Sequence, residues 1–280
     1  MILIKTEKAI QPILKNWKKK QKSTGFVPTM GALHNGHISL INACMNENDF
    51  CISSLFINPT QFNNQSDFEK YPITLEKDIA MLEAAGCNLL LLPSVTEIYP
   101  NAYIAPHYNL GYLETILEGK YRPGHFQGVC QVVDRLLDIT KPGSLYLGQK
   151  DYQQCMVLKK LIEQKNYPTV LKISPTIRDN NGLALSSRNM RLTEPEKKLA
   201  LQLSKTLFFI KENIKPGNLL LLQQQMAQRL NEDGFKVDYV AIASANTLET
   251  VTHWNGEEKL IALVAAYLNE VRLIDNMLIP

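Results

Sequence analysis

Four stretches of this chain combine residue types that can do chemistry. The first is Pro28-Thr29-Met30-Gly31-Ala32-Leu33-His34-Asn35-Gly36-His37, which follows a short β-rich run and precedes an apolar-periodic one. Two histidines three apart, around Asn-Gly, would stand at a helix N-terminus. Unpaired backbone N–H groups and the helix dipole favour an anion there. The ring N–H groups would point the same way, and Gly31 and Gly36 let a ligand approach the backbone. A nucleotide phosphate suits such a set, although two polar loop histidines satisfy the pattern as well. Metal binding is the weaker reading, because no Glu follows at metalloprotease spacing.

The second stretch is Leu147 to Gln154. Gly148 ends a strand and Asp151 begins a helix, which is where open α/β sheets bind ligands. Lys150 can meet a phosphate and Asp151 a ribose hydroxyl; the plainer alternative is a helix cap beside a surface lysine. The third, Leu185-Ser186-Ser187-Arg188, offers hydroxyls and a guanidinium to the charge on a leaving pyrophosphate, or is simply an exposed turn. The fourth is Ile57 to Phe62. Asn58 and Gln61 there can orient hydroxyls and carboxylates without adding charge, though alone they read as turn residues. The chain has no G-x-x-x-x-G-K-[ST] loop, no G-x-G-x-x-G fingerprint and no G-x-S-x-G elbow. The four stretches together describe a Rossmann-like nucleotide site without a Walker lysine.

The elements that would position them alternate. Strands are predicted at Gly25–Pro28, Cys51–Ile57, Asn88–Leu92, Leu145–Leu147 and Val170–Ile173, the second and third stopped by proline. Helices are predicted after Asn35-Gly36, over Thr74–Ala85 with Thr74 as N-cap, over about Val129–Ile139 and over Lys150–Gln164. Alternation with fully apolar strands argues for a parallel sheet covered on both faces. After Ser174 the rhythm changes to helices near 194–213 and 218–232 and strands at 236–243, 259–268 and 271–279. The expected fold class is therefore α/β: a Rossmann-like parallel-sheet domain over 1–174 and a smaller α+β domain over 175–280.

Composition bounds the rest. Of 280 residues, 45% are apolar and 20% charged, enough to build a core. Thirty basic against 27 acidic side chains leave +3, too near neutral to argue for nucleic acid as a partner. Five cysteines with no C-x-x-C pair argue against a zinc ribbon or a disulfide framework and for reduced cytosolic thiols; Cys155, near the second stretch, reads as a reactive thiol or, more simply, as one more small core residue. No apolar run reaches the roughly 18–20 residues of a membrane span. The charged start, MILIKTEKAI, is no secretory signal, and Lys18-Lys19-Lys20 reads as a solvated helix end.

An H-x-G-H turn followed by a Ser/Arg loop resembles the nucleotidylyltransferase superfamily. Six motifs in order, VPTMGALHNGH, LFINPTQF, LEGKYRPGHFQGV, LGQKDYQQ, DNNGLALSSRN and VAAYLNEVRLIDN, resemble the pantoate–β-alanine ligase family over residues 27–276. The resemblance implies a homodimeric, cytoplasmic enzyme whose C-terminal domain covers a Rossmann-type active site. It implies that ATP, with Mg²⁺, and pantoate form pantoyl adenylate and pyrophosphate, and that the amine of β-alanine then displaces AMP. It places ATP against Met30, Gly31, Ala32, Leu33, His34, Asn35, Gly36 and His37, against Gly148, Gln149, Lys150 and Asp151, and against Ile177, Leu185, Ser186, Ser187 and Arg188. The catalytic set becomes His34, His37, Lys150, Ser187 and Arg188, with His37 stabilising charge, since phosphoryl displacement depends on positioning and charge.

Gln61 and Gln154 would clasp pantoate, with Asn58, Tyr71 and Glu118 shaping the site. No protein metal ligand is assigned: Asp78 is an indirect Mg²⁺ contact or, more simply, a surface helix carboxylate. Three positions depart from the family pattern. Gln149 and Asn181 stand where acids are expected and Ile73 where an arginine is, each removing a charge at a motif edge. A nucleotidylyltransferase acting on a phosphate substrate would need more basic side chains than neutral Gln61 and Gln154 provide. A silent nucleotide- or RNA-binding module would not need His37, Lys150 and Arg188 together.

Overall fold

The structure is a computed structural model describing residues 1–279. Its chain divides into two compact units, one of Met1–Gly148 with Gln154–Pro175, the other of Gln149–Gln153 with the chain from Thr176 onward. The division is thus not a single cut after residue 174: five residues of the Leu147–Gln154 stretch group with the C-terminal unit.

The first unit begins with β1 (Ile2–Ile4), α1 (Glu7–Lys19), β2 (Thr24–Thr29), α2 (Asn35–Glu47) and β3 (Phe50–Leu55). It continues through α3 (Gln65–Glu69), α4 (Leu75–Ala84), β4 (Leu89–Leu91), α5 (Val95–Ile98) and α6 (Leu117–Tyr121). It closes with α7 (His125–Thr140), β5 (Ser144–Gly148), α8 (Tyr152–Gln164) and β6 (Val170–Ser174). All neighbouring strands pair in parallel, in the order β1-β4-β3-β2-β5-β6. The order reverses between β2 and β5, so the segments that follow these strands leave from the switch point of the sheet, where ligands of open α/β sheets bind.

Phe26, Val27, Ile52, Leu89, Leu90 and Leu91 are fully buried, as expected for strands covered on both faces. That expectation holds only inside the sheet. At its edges Ile2 and Val170 are about half exposed. All five cysteines are free and buried.

Several elements differ from the sequence reading. Strand β1 was not anticipated, and of helix α1 only its solvated end was; α1 is capped by Thr6, whose Oγ1 accepts from the N–H of Ala9 at 3.3 Å, and it ends at the exposed Lys18 and Lys19, as the lysine cluster suggested. Helix α7 starts four residues earlier than periodicity suggested. The helix expected from Lys150 opens as a 3₁₀ turn, Gln149–Asp151. Thr74 precedes α4 but its side chain does not cap the helix; the hydroxyl donates to Asp78 Oδ1 at 3.0 Å instead.

The second unit holds α9 (Glu194–Asn213), β7 (Gly217–Asn218), α10 (Leu220–Glu232) and β8 (Lys236–Ser244), then β9 (His253–Trp254), β10 (Leu260–Leu268) and β11 (Val271–Ile279). Strands β8, β10 and β11 form an antiparallel sheet with β10 in the middle. Leu203, Leu207 and Ile210 of α9 and Met226 and Leu230 of α10 pack into one core with Ile242, Leu260, Ala262 and Val264. Thr193 and Glu196 close a reciprocal capping box at the start of α9: Glu196 Oε2 accepts from the Thr193 N–H at 2.8 Å, and Thr193 Oγ1 accepts from the Glu196 N–H at 3.4 Å.

Helix α7 lies against the 3₁₀ turn Pro59–Gln61 through Gly128. A Cβ at that position would come within 2.4 Å of the Thr60 carbonyl oxygen. An alanine elsewhere in a helix gains about 0.5–1 kcal/mol over glycine; here the clash with backbone dominates. Gly128→Ala should lower stability by about 1–3 kcal/mol, read from urea unfolding. A rise in stability would show that the turn yields freely.

Candidate functional site

The chain leaves β2 through two successive left-handed residues, Gly31 at φ +85° and Ala32 at φ +49°. A left-handed alanine is unfavourable by about 1–2 kcal/mol, and something must hold it. Asp78, only 2% exposed, does so. Its Oδ2 accepts from the N–H of Ala32 at 2.9 Å and its Oδ1 from the N–H of Leu33 at 2.8 Å. A carboxylate in a nest of consecutive backbone N–H groups is a charge-assisted pair of bonds. A Cβ on Gly31 would stand 3.1 Å from Asp78 Oδ2, so the loop needs glycine there for space as well as for φ.

This overturns the reading of Asp78 as a surface helix carboxylate. Its place four residues before the fully buried Leu82 puts it on the inward face of α4, and that spacing was the available signal. With the Thr74 hydroxyl also donating to Oδ1, both carboxylate oxygens are engaged by the protein.

The two histidines cap α2 reciprocally. His34 is the extended N-cap, and its Nδ1 accepts from the Gly36 N–H at 3.1 Å. His37 Nδ1 accepts from the His34 N–H at 3.3 Å, and the rings lie 4.0 Å apart at 36°. A ring nitrogen that accepts carries no proton, so each neutral imidazole holds its proton on Nε2. The expectation that ring and backbone N–H groups jointly face a ligand is corrected here. The Gly36 N–H is turned to His34, and the His37 N–H to the His34 carbonyl at 2.8 Å. Both Nδ1 atoms and the Gly36 and His37 N–H groups are thus spent within the cap.

Asn58 and Gln61 are buried where β3 gives way to the 3₁₀ turn. Asn58 Nδ2 donates to the Gly128 carbonyl at 3.1 Å and to Gln61 Oε1 at 3.3 Å, while its Oδ1 accepts from Tyr99 Oη at 2.9 Å and Thr60 Oγ1 at 3.1 Å. Its hydrogen-bonding groups are thus engaged within the unit. The contact with Asn58 fixes the orientation of the Gln61 amide. One Nε2–H of Gln61 reaches Met30 Sδ at 2.7 Å, and the Gln61 carbonyl takes a bond from His125 Nδ1 at 2.8 Å. His125, at the start of α7, is a buried support that the sequence reading did not single out. Glu118 and Tyr71 are buried in this unit too, Glu118 beside Arg122 at 3.7 Å. Gln154 sits half-buried in the first turn of α8. Gly148 ends β5, with open space where a Cβ would be.

The remaining candidates lie in the second unit. Gln149 and Lys150 are half-buried and Asp151 is exposed. Gln149 Nε2 donates to Asn276 Oδ1 at 3.2 Å, so the first charge-removing departure forms an amide pair. The segment 178–184 is a tight hairpin. Arg178 binds Asp275 bidentately at 2.6 and 2.9 Å and donates to the Gly182 carbonyl at 3.1 Å. Burial pushes the Asp275 carboxyl up from its ordinary value, and the Arg178 guanidinium pulls it down. The second departure, Asn181, is exposed and gives its N–H to Asp179 Oδ1 at 2.8 Å. The third, Ile73 in the first unit, is 78% exposed.

Leu185 continues from the hairpin, its N–H bonded to the Ile177 carbonyl at 2.9 Å. Ser186 then caps a 3₁₀ turn, its Oγ accepting from the Arg188 N–H at 3.2 Å, with Ser187 buried behind it. Asp275 and Asn276 close the last of the motifs and Arg178 stands one residue before DNNGLALSSRN, but the sequence reading gave none of them a role. Among the described residues no group of three or more His, Cys, Asp or Glu side chains could hold a metal ion, and no helix is long and apolar enough to cross a membrane.

A switch-point sheet with a histidine-capped loop at its carboxyl end, followed by an antiparallel α+β unit, defines a Rossmann-like α/β protein. The chain belongs to the pantoate–β-alanine ligase family, whose model, described as Pantoate-beta-alanine ligase, matches residues 2–278. The pantothenate synthetase of Cytophaga hutchinsonii is 44% identical over 285 residues, covering 100% of this chain and 99% of that one. Its counterpart in Fervidobacterium nodosum is 40% identical over 281 residues, covering 100% and 99%. The crystal structure of pantothenate synthetase from Thermus thermophilus matches with a TM-score of 0.89 at 36% identity, covering 99% of both chains. That of pantoate-beta-alanine ligase from Francisella tularensis, complexed with beta-gamma ATP and beta-alanine, matches with a TM-score of 0.84 at 40% identity, covering 99% of this chain and 97% of that one.

If Asp78 holds the loop, Asp78→Ala should destabilise the metal-free protein, at about 1–3 kcal/mol for each buried N–H left unpaired. Denaturant unfolding in a chelator checks this. Unchanged stability there, with a defect only when Mg²⁺ is present, would point to an ion ligand instead.

Proposed function

We propose that this chain condenses pantoate with β-alanine to pantothenate through a pantoyl adenylate, consuming Mg-ATP and releasing pyrophosphate and then AMP. The observation that carries the reading is the contact between Gln61 and Met30. A neutral, orientation-fixed amide is joined to the first residue of the loop that carries the two capping histidines. Such a pairing suits a carboxylic acid brought to a nucleotide phosphate. A free carboxylate is a poor electrophile, and the adenylate supplies the leaving group that the amine displaces.

In this reading the Met30–His37 turn binds ATP, and His34 and His37 donate from Nε2 to its phosphates. They stabilise the charge that develops as pyrophosphate leaves, a role needing fixed donors rather than proton transfer. The second N–H of Gln61 Nε2 goes to pantoate, with Gln154 as the other clasp, and Gln61 also faces β-alanine. Asn58 serves by holding Gln61. Gly148 to Asp151 meet the nucleotide, with Lys150 on phosphate and Asp151 on ribose. Ile177 and Leu185 close over adenine, and Ser186, Ser187 and Arg188 over the phosphates.

The first unit is then the ATP- and pantoate-binding domain and the second its lid. Mg²⁺ enters with ATP as part of the co-substrate; Asp78, with both oxygens engaged, suits a loop anchor better than an ion ligand. A homodimer, and a cytoplasmic setting in keeping with five free buried thiols, complete the proposal.

Incubation with Mg-ATP, pantoate and β-alanine should yield AMP and pantothenate by mass spectrometry. ATP–pyrophosphate exchange should need pantoate but not β-alanine; exchange that appears only with β-alanine would rule out a free-standing adenylate step. His37→Ala should slow adenylation on the order of 10²–10³ and the amide step far less, and equal slowing of both would remove His37 from the phosphates. Gln61→Ala should raise the pantoate KM while ATP binding without pantoate stays nearly unchanged. Weakened ATP binding would place Gln61 in the wrong half of the site.

A further inference from the structure

Lys150 sits in a three-residue 3₁₀ turn, too short to hold its own shape. Its backbone is held from β11, the last strand of the chain. Asn276, 3% exposed, donates from Nδ2 to the carbonyls of Gln149 at 2.9 Å and Lys150 at 2.8 Å. Its Oδ1 accepts from Gln149 Nε2 at 3.2 Å. Both N–H donors and the carbonyl of this carboxamide therefore serve two consecutive residues. No other short side chain offers two donors on one nitrogen beside an acceptor. An aspartate of the same shape would set oxygens against both carbonyls.

The preceding residue, Asp275, holds the other candidate segment. It binds Arg178 bidentately and accepts from the Asn276 N–H at 2.8 Å, and Arg178 reaches the Gly182 carbonyl in the hairpin leading to Ser186–Arg188. Two neighbouring strand residues thus carry both nucleotide-facing segments of the second unit. Successive strand side chains leave opposite faces, so one residue serves each segment.

We propose that Asn276 is a positioning residue for adenylation that acts through Lys150, setting the backbone from which the ammonium group reaches the phosphates. The inference rests on the assignment of Lys150 to phosphate. A lysine side chain has four flexible bonds, and only a fixed starting point confines its tip. Misplacement of such a group by about 1 Å costs on the order of 10²-fold in rate.

The test is a double-mutant cycle on the full chain, with Lys150→Ala, Asn276→Ala and the pair. It is read by single-turnover adenylation and, separately, by the amide step from preformed pantoyl adenylate. Asn276→Ala should slow adenylation by roughly 10–100-fold and leave the amide step and the pantoate KM nearly unchanged. The double variant should be no slower than Lys150→Ala alone. Losses that multiply, or equal slowing of both steps, would overturn the inference and leave Asn276 as a structural brace. A near-normal rate in Lys150→Ala would instead remove Lys150 from the phosphates, and the inference with it. Should Asn276→Ala fail to fold, Asn276→Ser keeps one donor. It should then give a smaller adenylation defect that likewise vanishes when Lys150 is absent, and a defect that persists there overturns the inference.

Discussion

A single buried carboxylate governs the shape of the loop that joins β2 to α2. Without Asp78 the buried Ala32 and Leu33 N–H groups would lose the carboxylate that accepts from them, and a left-handed alanine would lose that compensation. With it, the loop turns in a fixed way and delivers His34 to the N-cap of α2. Everything downstream inherits that geometry: the reciprocal imidazole cap, the tautomer it enforces, and Met30 at the point where Gln61 meets it. The negative charge beneath the loop is screened by bonds it accepts from the loop itself.

The second unit solves the same problem with different chemistry. Irregular segments are held there by a buried ion pair and a carboxamide on adjacent residues of an edge strand. A buried ion pair is weak support for stability, since desolvation offsets much of the attraction, but it is well suited to fixing one arrangement among several. In both units a regular element therefore supplies a polar group that an irregular segment lacks, and the irregular segment carries the groups assigned to substrate.

Much of this was legible in the chain. Leu89–Leu91 and Leu260–Leu268 announce strands because every residue is apolar and a turn residue closes each run, and the Asn35-Gly36 pair between two histidines marks a helix start. Strand β1 was not legible, being three residues long with charge just beyond it. At the site, the residues expected to touch ligand stood out by type: histidine, lysine, arginine and glycine in short motifs. The residues that hold them did not, because their partners are remote in sequence. Asp78 lies 45 residues or more from the N–H groups it binds, and Arg178 is 97 residues from Asp275. Only the four-residue spacing from Asp78 to Leu82 hinted locally at burial. His125 and Asn276 carried no such hint; each is one of several polar residues in its element.

The distance between Lys150 and its brace also bears on how the chain is made. Asn276 follows Lys150 by 126 residues. At about 5–20 residues per second a ribosome needs roughly 6–25 s to cover that interval. During that time the last of the first unit's strands, β6, is completed, while the Lys150 turn still has no strand to hold it. A nascent chain therefore passes through a stage with its sheet built and this turn slack, and the emergence of β11 fixes it. Translation, which runs in one direction, thereby leaves the setting of the Lys150 turn to a strand made well after it.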